Sequence, residues 1–166
     1  MTSKDRVNSV YAEIISQTPA VYLKANTAIT FAAVTIEAIA NRRLKQYGLN
    51  HKGFIMLFML AENGGCMTIP ELTKRLHITR QAVALTSRSF EERGLVAREG
   101  TESDLRAIKV ELTKKGIELV REIGLSDHRA QIQNVLLSVA TEKEAKQLTD
   151  ILTKVTNKLC SLEFDA

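Results

Sequence analysis

The sequence is poor in the residues that build disulfide frameworks and metal sites. It contains two cysteines, Cys66 and Cys160, which form no CxxC pair. None of the three histidines, His51, His77 and His128, falls at ligand spacing with another. This spacing argues against a structural zinc site, and free thiols fit a reducing compartment. We expect neither a metal nor a cofactor.

Long apolar runs are also scarce. The most apolar stretch, residues 27–40, is shorter than the roughly 20 residues that a membrane span needs, and it contains Glu37. Residues 1–14 lack the apolar central region and the small-residue cleavage site of a secretory signal. A soluble, cytoplasmic protein is therefore the expectation.

Signatures of catalysis are missing as well. The sequence shows no Ser-His-Asp ordering, no glycine-rich phosphate loop and no paired carboxylates in a plausible cleft. Glu91 and Glu92 follow one another near the end of a predicted helix, where we expect a solvated face. An enzyme is the disfavoured class.

Basic charge is present and unevenly distributed. The net charge is +4, and 45% hydrophobic against 25% charged residues indicate a soluble globular protein. Residues 41–124 hold fifteen basic and ten acidic side chains, and residues 74–88 hold four basic and no acidic ones. A local basic surface of this kind suits a polyanion, although solvated basic faces are common.

The apolar periodicity predicts mostly helices. A first helix is interrupted at Thr18-Pro19, and a second runs from about Val21 to Tyr47 and stops at Gly48. Asn50 can cap a third helix over residues 51–62. Residues 117–166 read as two long helices, the last beginning at a capping box at 141–144 and carrying a long apolar stripe that favours pairing with a second chain.

The middle of the chain predicts a helix-turn-helix. Thr68 and Glu71 form a capping box for a short helix, residues 77–79 make a turn, and Thr79 caps a further helix through about Arg93. On that further helix, the spacing of Val83, Ser87 and Phe90 predicts a core-facing side. The opposite, outward side would then carry Arg80, Gln81, Ala84, Leu85 and Arg88.

A charged hairpin follows. Residues 95–99 and 107–112 alternate like strands and flank a polar loop with Gly100. Directly after a helix-turn-helix, such a hairpin is a wing, and Arg106 at its tip can enter a minor groove. Arg98 and Lys109 lie nearby, and Asp104 is interpreted as holding Arg106 by a charge-assisted hydrogen bond.

This order of elements resembles the MarR family of bacterial transcription regulators. The family's D-x-R and L-T-x-x-G motifs appear as Asp104-Leu105-Arg106 and as "LTKKG" at 112–116, and residues 76–96 resemble its recognition helix. The resemblance implies a mainly α fold with a small β-hairpin. It places a winged helix-turn-helix domain at 48–116 between dimerisation helices at 1–47 and 117–166. It further implies a homodimer that regulates transcription, most often as a repressor, on a pseudo-palindromic operator of double-stranded DNA.

The predicted DNA-binding residues are Thr79, Arg80, Gln81, Ala84, Leu85, Arg88, Arg98, Asp104, Arg106 and Lys109. Where family members often carry Thr, Thr and Arg, this helix has Ala82, Ala84 and Leu85, which removes hydrogen-bonding groups from the groove face. An alternative is therefore a winged-helix adaptor or antirepressor that acts through protein contacts.

The resemblance also implies a small lipophilic or phenolic effector. Tyr22, Phe31, Phe54 and Phe58 are candidate lining residues, and the competing interpretation is that they are simply core. Thiol-sensing members carry a reactive cysteine near the N-terminus, but here none precedes Cys66. Both cysteines are expected to be buried and unreactive.

Overall fold

The structure, a computed structural model, describes residues 3–100, 107–126, 134–135 and 137–163. These residues confirm a mainly α fold that carries a small antiparallel sheet. The helices and strands follow in this order: α1 Ser3–Gln17, α2 Ala20–Leu44, a 3-10 helix Lys45–Tyr47, α3 His51–Glu62, β1 Cys66–Thr68, α4 Ile69–Leu76, α5 Arg80–Glu92, β2 Val96–Glu99, β3 Lys109–Leu112, α6 Lys114–Leu125 and α7 Glu142–Glu163.

The breaks between the first three helices follow the predicted signals. α1 ends before Thr18-Pro19, because the residue before a proline is disfavoured in helical conformation. α2 tightens into the 3-10 helix and stops at Gly48, whose φ of 63° is left-handed. The Asn50 side chain then accepts a hydrogen bond at 2.7 Å from the Gly53 N–H and begins α3.

The sheet is larger than the predicted hairpin. β2 and β3 pair as expected, and β1 adds a third antiparallel strand in the order β1-β3-β2. Val110 at the centre of β3 lies opposite Met67 on one side and Arg98 on the other. The wing is therefore anchored to the strand that precedes α4.

The hydrophobic core lies where α3, α4 and α5 meet the sheet. Its fully buried side chains come from all these elements, and the partly buried Phe54 and Phe58 pack against it. α2 joins this core through Ala40 and Leu44, and α6 joins it through Val120 and Ile123. Among the described residues, the largest fully buried apolar side chains are Met56, Leu57, Leu60, Ile69, Leu72, Val83, Leu95, Val96, Ile108 and Val110.

The "LTKKG" segment locks α6 to the end of α5. The Thr113 hydroxyl donates to the Gly94 carbonyl at 2.7 Å, and its oxygen also accepts the Gly116 N–H at 3.1 Å. A Cβ atom at Gly116 would overlap the carbonyl oxygen of Leu95. Only glycine allows this approach, so the motif has a structural reason that is independent of DNA.

The outer helices expose much of their apolar surface. α7 begins at a Thr141–Glu144 capping box, as predicted, in which the Thr141 N–H donates to Glu144 at 2.8 Å. The exposed apolar side chains of α1, α2 and α7 include Val7, Val10, Tyr11, Ile14, Tyr22, Phe31, Val34, Leu148, Ile151, Val155, Leu159 and Leu162. By length and composition alone, the segment Ala20–Tyr47 also passes the criterion for a membrane span.

Candidate nucleic-acid interface

The helix-turn-helix is set by two side-chain caps and one left-handed residue. The Thr68 N–H donates to the Glu71 carboxylate at 2.7 Å, and the Glu71 N–H donates back to the Thr68 hydroxyl at 3.4 Å. The Thr68 N–H and the Thr68 hydroxyl, which donates to the same carboxylate at 2.8 Å, lower the pKa of Glu71. His77, with a φ of 52°, ends α4, and Thr79 accepts the Ala82 N–H at 3.2 Å to begin α5. The caps match the prediction and fix the angle at which α5 leaves α4.

The predicted inner and outer sides of α5 are mostly correct. Val83, Ser87 and Phe90 are buried, as the spacing indicated. The outward side presents Thr79, Arg80, Gln81, Leu85 and Arg88, all exposed. Three of these side chains are long and polar, and they share the face of the helix that looks away from the core. The arrangement suits insertion of α5 into a major groove.

Ala84 is a correction to this predicted outward side. Ala84 is only 6% exposed and belongs to the core cluster. Its carbonyl accepts the Ser87 hydroxyl at 2.9 Å. The buried stripe of α5 is wider than the predicted one because Ala84 lies next to Val83 and three residues before Ser87, on adjoining parts of the same face. Ala84 is therefore not positioned to contact bases.

Arg98 is a second correction. Its side chain is 5% exposed, and its Nη1 lies 3.6 Å from Oε2 of Glu91 on α5. The Arg98 backbone N–H also donates to Glu91 Oε1 at 3.2 Å. Because alternate residues of a strand share a face, Arg98 faces inward with the buried Val96. Glu91 is thus not a simply solvated carboxylate, and the pair joins the recognition helix to the wing.

The described part of the wing offers Lys109 as an exposed cation. It lies on β3 opposite Glu99 of β2 and opposite Thr68 of β1. Asp104 and Arg106, which the D-x-R motif assigns to the tip, lie outside the described residues. The role of these two residues remains a sequence prediction.

Arg93 is an important residue that the sequence did not single out. Its guanidinium donates from Nη1 to the Gly48 carbonyl at 2.8 Å and from Nη2 to the Tyr47 carbonyl at 2.7 Å. Its own carbonyl accepts Lys115 Nζ at 2.8 Å. The two acceptors of the guanidinium are backbone carbonyls that are distant in sequence. Every residue type has such a carbonyl, so the sequence gives no signal for this contact.

The four predicted pocket aromatics differ in their surroundings. Tyr22 and Phe31 are 67% and 68% exposed on α2. Phe54 and Phe58 are partly buried against the core, with ring centroids 6.1 Å apart. The predicted lining set therefore stays a prediction, with two members open to solvent and two packed against the core.

The cavities relevant to a small ligand are lined by other residues. One of about 510 Å³ opens between the start of α3 and the side of α5, lined by Gly48, Leu49, Asn50, Lys52, Gly53, Met56, Leu76, Ile78, Ala82, Leu85, Thr86, Ser89, Phe90 and Arg93. Another of about 290 Å³ lies between α2, α3 and α4, and Glu37, His51 and Arg75 contribute to its lining. Burial lowers the pKa of His51, against the opposing charge of Glu37.

Neither cysteine is fully buried, contrary to expectation. Cys66 and Cys160 are both free and half-buried. Cys160 Sγ lies 3.1 Å from Nδ1 of His77, so α7 contacts the turn between α4 and α5. Cys160 lies on the apolar stripe of α7, and this stripe is partly exposed to solvent. The thiol is therefore only half-buried.

A recognition helix whose outward face carries Arg80 and Arg88, packed between a second helix and the three-stranded sheet that bears the wing, defines a winged helix-turn-helix DNA-binding protein. A family model described as MarR family matches residues 47–107. The transcriptional repressor MprA of Escherichia coli (strain K12) is 30% identical over 126 residues, which are 75% of this chain and 70% of that protein. The HTH-type transcriptional regulator MhqR of Bacillus subtilis (strain 168) is 26% identical over 69% of this chain and 77% of its own length.

Among solved structures, Sco3205 in complex with DNA, a MarR family transcriptional regulator from Streptomyces coelicolor, is similar in fold and sequence. The match has a TM-score of 0.74 at 27% identity and covers 84% of this chain and 88% of that one. The chain belongs to the MarR family of transcriptional regulators, which bind DNA through a winged helix and are not enzymes.

Proposed function

We propose that this protein is a homodimeric, sequence-specific transcriptional repressor that reads a pseudo-palindromic operator. The observation that carries the proposal is the row of exposed polar side chains on the outward face of α5, Arg80, Gln81 and Arg88. Arginine and glutamine offer the donors and acceptors that read base edges in a major groove. The wing adds Lys109, and by sequence Arg106, as backbone or minor-groove contacts.

The start of α5 favours the same use. The Thr79 cap leaves the helix N-terminus at the surface, where the helix dipole is positive. Arg80 and Gln81 follow at once, and the first turn carries no acidic residue. DNA phosphates are therefore attracted to the end of the helix from which the base-reading side chains project.

The exposed apolar surface of the outer helices supports a homodimer. Large apolar residues on α1, α2 and α7 are open to solvent in one chain, including Phe31 at 68% and Ile151 at 56%. Large apolar side chains that are exposed along three helices are typical of a protein–protein interface. A second copy offers the same helices, and a two-fold axis would then set two recognition helices about one helical turn of DNA apart.

A membrane is the competing partner for α2. Against it, the segment Ala20–Tyr47 carries Lys24, Glu37, Arg42 and Arg43, and charges within a span are costly. The stripe on α7 would also stay uncovered. A dimer covers both helices, and it fits a soluble, cytoplasmic protein.

Repression and effector control extend the proposal. The relative MprA is named a repressor, and we propose the same sign of regulation here. The cavity beside α5 has the volume of a small-molecule site, since such sites typically span about 300–1,000 Å³. A small lipophilic or phenolic effector that binds there would contact Leu85 and Ala82 on the recognition helix itself.

A second candidate function has one observation in its favour. Leu85 is 65% exposed on the outward face of α5, where a base-reading helix more often carries a polar group. An exposed leucine suits a protein partner, so an adaptor or antirepressor is the alternative. On DNA, the same leucine can contact a thymine methyl group.

The test is fluorescence anisotropy of the purified protein against the DNA upstream of its own gene, at two salt concentrations. Random DNA of equal length serves as competitor. We expect competitor-resistant binding that weakens with salt. Arg80→Ala and Gln81→Ala should change affinity in a sequence-dependent way, whereas Lys109→Ala should reduce the salt slope by about one for all sequences.

The matched control is Arg121→Ala, which removes an exposed charge from α6. Its binding should equal that of the parent. If a genome-wide selection of bound fragments also returns nothing above random DNA, the repressor proposal fails and the adaptor remains. If Arg80→Ala, Gln81→Ala and Lys109→Ala all bind like the parent, the assigned reading surface is wrong.

A further inference from the structure

Arg93 occupies the point at which three parts of the molecule meet. It directly follows α5, and its guanidinium donates to the carbonyls of Tyr47 and Gly48 at 2.7 and 2.8 Å. The guanidinium carbon also lies 5.9 Å from the centroid of the Phe90 ring, which is buried under α5. The guanidinium is thus held by hydrogen bonds along its N–H edge and by the Phe90 ring against its flat face.

The acceptors explain why this position suits an arginine. Tyr47 and Gly48 end the 3-10 helix that continues α2, and the last carbonyls of a helix lack partners within the helix and carry partial negative charge. Gly48 turns the chain with a φ of 63° and leaves both carbonyls open to one planar donor group. Lysine has a single donor nitrogen and lacks the rigid planar fork, so it does not reproduce the contact that Nη1 and Nη2 make here.

The backbone of the same residue makes the third connection. The Arg93 carbonyl accepts Lys115 Nζ at 2.8 Å, and Lys115 lies in the first turn of α6. One residue therefore ties the end of the recognition helix to the end of α2 on one side and to the start of α6 on the other.

We propose that Arg93 is a positioning residue that sets the spacing of the two recognition helices in the dimer. It binds the helix that leads to the interface instead of binding DNA, and it fixes the angle between α2 and α5. In the dimer of the proposed function, on which this inference rests, that angle determines which half-site separation both recognition helices can occupy together.

Loss of the Arg93 contacts should weaken the binding of both recognition helices to two half-sites more than the binding of one recognition helix to a single half-site. Two linked contacts gain affinity only when the geometry allows both at once. A looser angle lowers that gain, and it also lets the dimer accept spacings that the parent rejects. A residue that only stabilised the fold would weaken binding to every duplex alike.

The experiment begins with a duplex that the parent selects from a random pool. Affinities are then measured for that duplex, for versions with one base pair added or removed between the half-sites, and for a duplex with one half-site. The proteins are the parent, Arg93→Met, Arg93→Lys and the control Arg121→Met, which removes the same charge from an exposed position on α6.

We expect Arg93→Met and Arg93→Lys to bind the selected duplex about tenfold more weakly, because a looser angle between α2 and α5 lowers the affinity gained from two linked contacts. Their binding to the single half-site should stay within about twofold of the parent, which also shows that they are folded. Their preference for the selected spacing over the altered ones should shrink, and Arg121→Met should match the parent throughout.

Equal losses on every duplex, or an unchanged spacing preference in both Arg93 variants, would overturn the positioning role and leave the proposed function intact. Selection of no DNA by the parent would instead overturn the proposed function, and the inference with it. Failure of the positioning role is thus seen in the Arg93 variants, whereas failure of the proposed function is seen in the parent protein.

Discussion

The winged domain and the outer helices have similar apolar sequence patterns but opposite surroundings. In the winged domain, side chains such as Leu57, Leu60 and Val110 are completely buried within one chain. On α2 and α7, residues such as Phe31 and Ile151 are more than half exposed. The difference teaches that the core of the winged domain is covered within one chain, with help from one end of α2 and from α6, whereas the rest of α2 and α7 leave apolar stripes open to solvent.

The largest expected effect comes from opening the core of the winged domain. Leu57→Ala should lower the free energy of unfolding by about 2–5 kcal/mol, because it leaves a cavity among fully buried neighbours. Chemical denaturation at fixed protein concentration measures it. Leu85→Ala, on the exposed side of α5, should change stability by less than about 0.5 kcal/mol. Equal effects of the two changes would contradict the assigned core.

The next largest effect is expected at the contact between α6 and the segment that follows α5. Gly116→Ala should cost about 1–3 kcal/mol, because the added methyl group overlaps the Leu95 carbonyl and must displace α6 from the end of α5. Thermal unfolding of this variant is compared with that of Glu118→Ala at an exposed position of the same helix. A Gly116→Ala variant as stable as the parent would show that the close approach is absent in solution.

The outer helices should respond through association. Ile151→Ser removes an exposed apolar side chain from α7 of each chain, and it should raise the dimer dissociation constant at least about tenfold. Sedimentation equilibrium over a range of concentrations measures this constant. Lys154→Ser on the same helix controls for the lower helix propensity of serine. A parent chain that stays monomeric at micromolar concentration would refute the dimer outright.

The smallest expected effect is on the pH dependence of stability. It involves His51, which lines the cavity between α2, α3 and α4. The pKa of His51 is lowered mainly by burial, so the folded chain favours the neutral ring. The corresponding stability is complete above the ordinary pKa of 6.5 and is lost as the pH falls below it. His51→Gln should therefore flatten the fall in melting temperature between about pH 7 and pH 5.

Glu37→Gln provides the matching test of sign. The Glu37 charge opposes the lowering of the His51 pKa, so its removal should make the fall in melting temperature steeper. Identical pH profiles for the parent and His51→Gln would exclude His51 as the titrating group.

Local features of the fold were predictable because their causes lie within a few residues. Asn50, Thr68, Thr79 and Thr113 each cap a helix through a bond to an N–H three residues on, and the residue types and spacing suffice to find them. The outward position of Arg80, Gln81 and Arg88 followed from helical periodicity in the same way.

The parts that sequence reasoning missed depend on contacts between distant segments. Arg98 looked like a wing cation, but its strand face is closed by α5, and Glu91 holds it there. Ala84 looked outward, but it is nearly buried and belongs to the core cluster. The candidate pocket aromatics also differ between helices, since Tyr22 and Phe31 on α2 are exposed whereas Phe54 and Phe58 on α3 pack against the core.

The sequence by itself determined the elements, their caps and the family motifs, since these arise from local periodicity and short-range hydrogen bonds. The tertiary structure decided which charged residues stay at the surface, where cavities open and what Arg93 binds. Its carbonyl partners lie 45 and 46 positions away, and a backbone carbonyl is the same for every residue type. Such a contact exists only once folding has brought the end of α5 beside the end of α2.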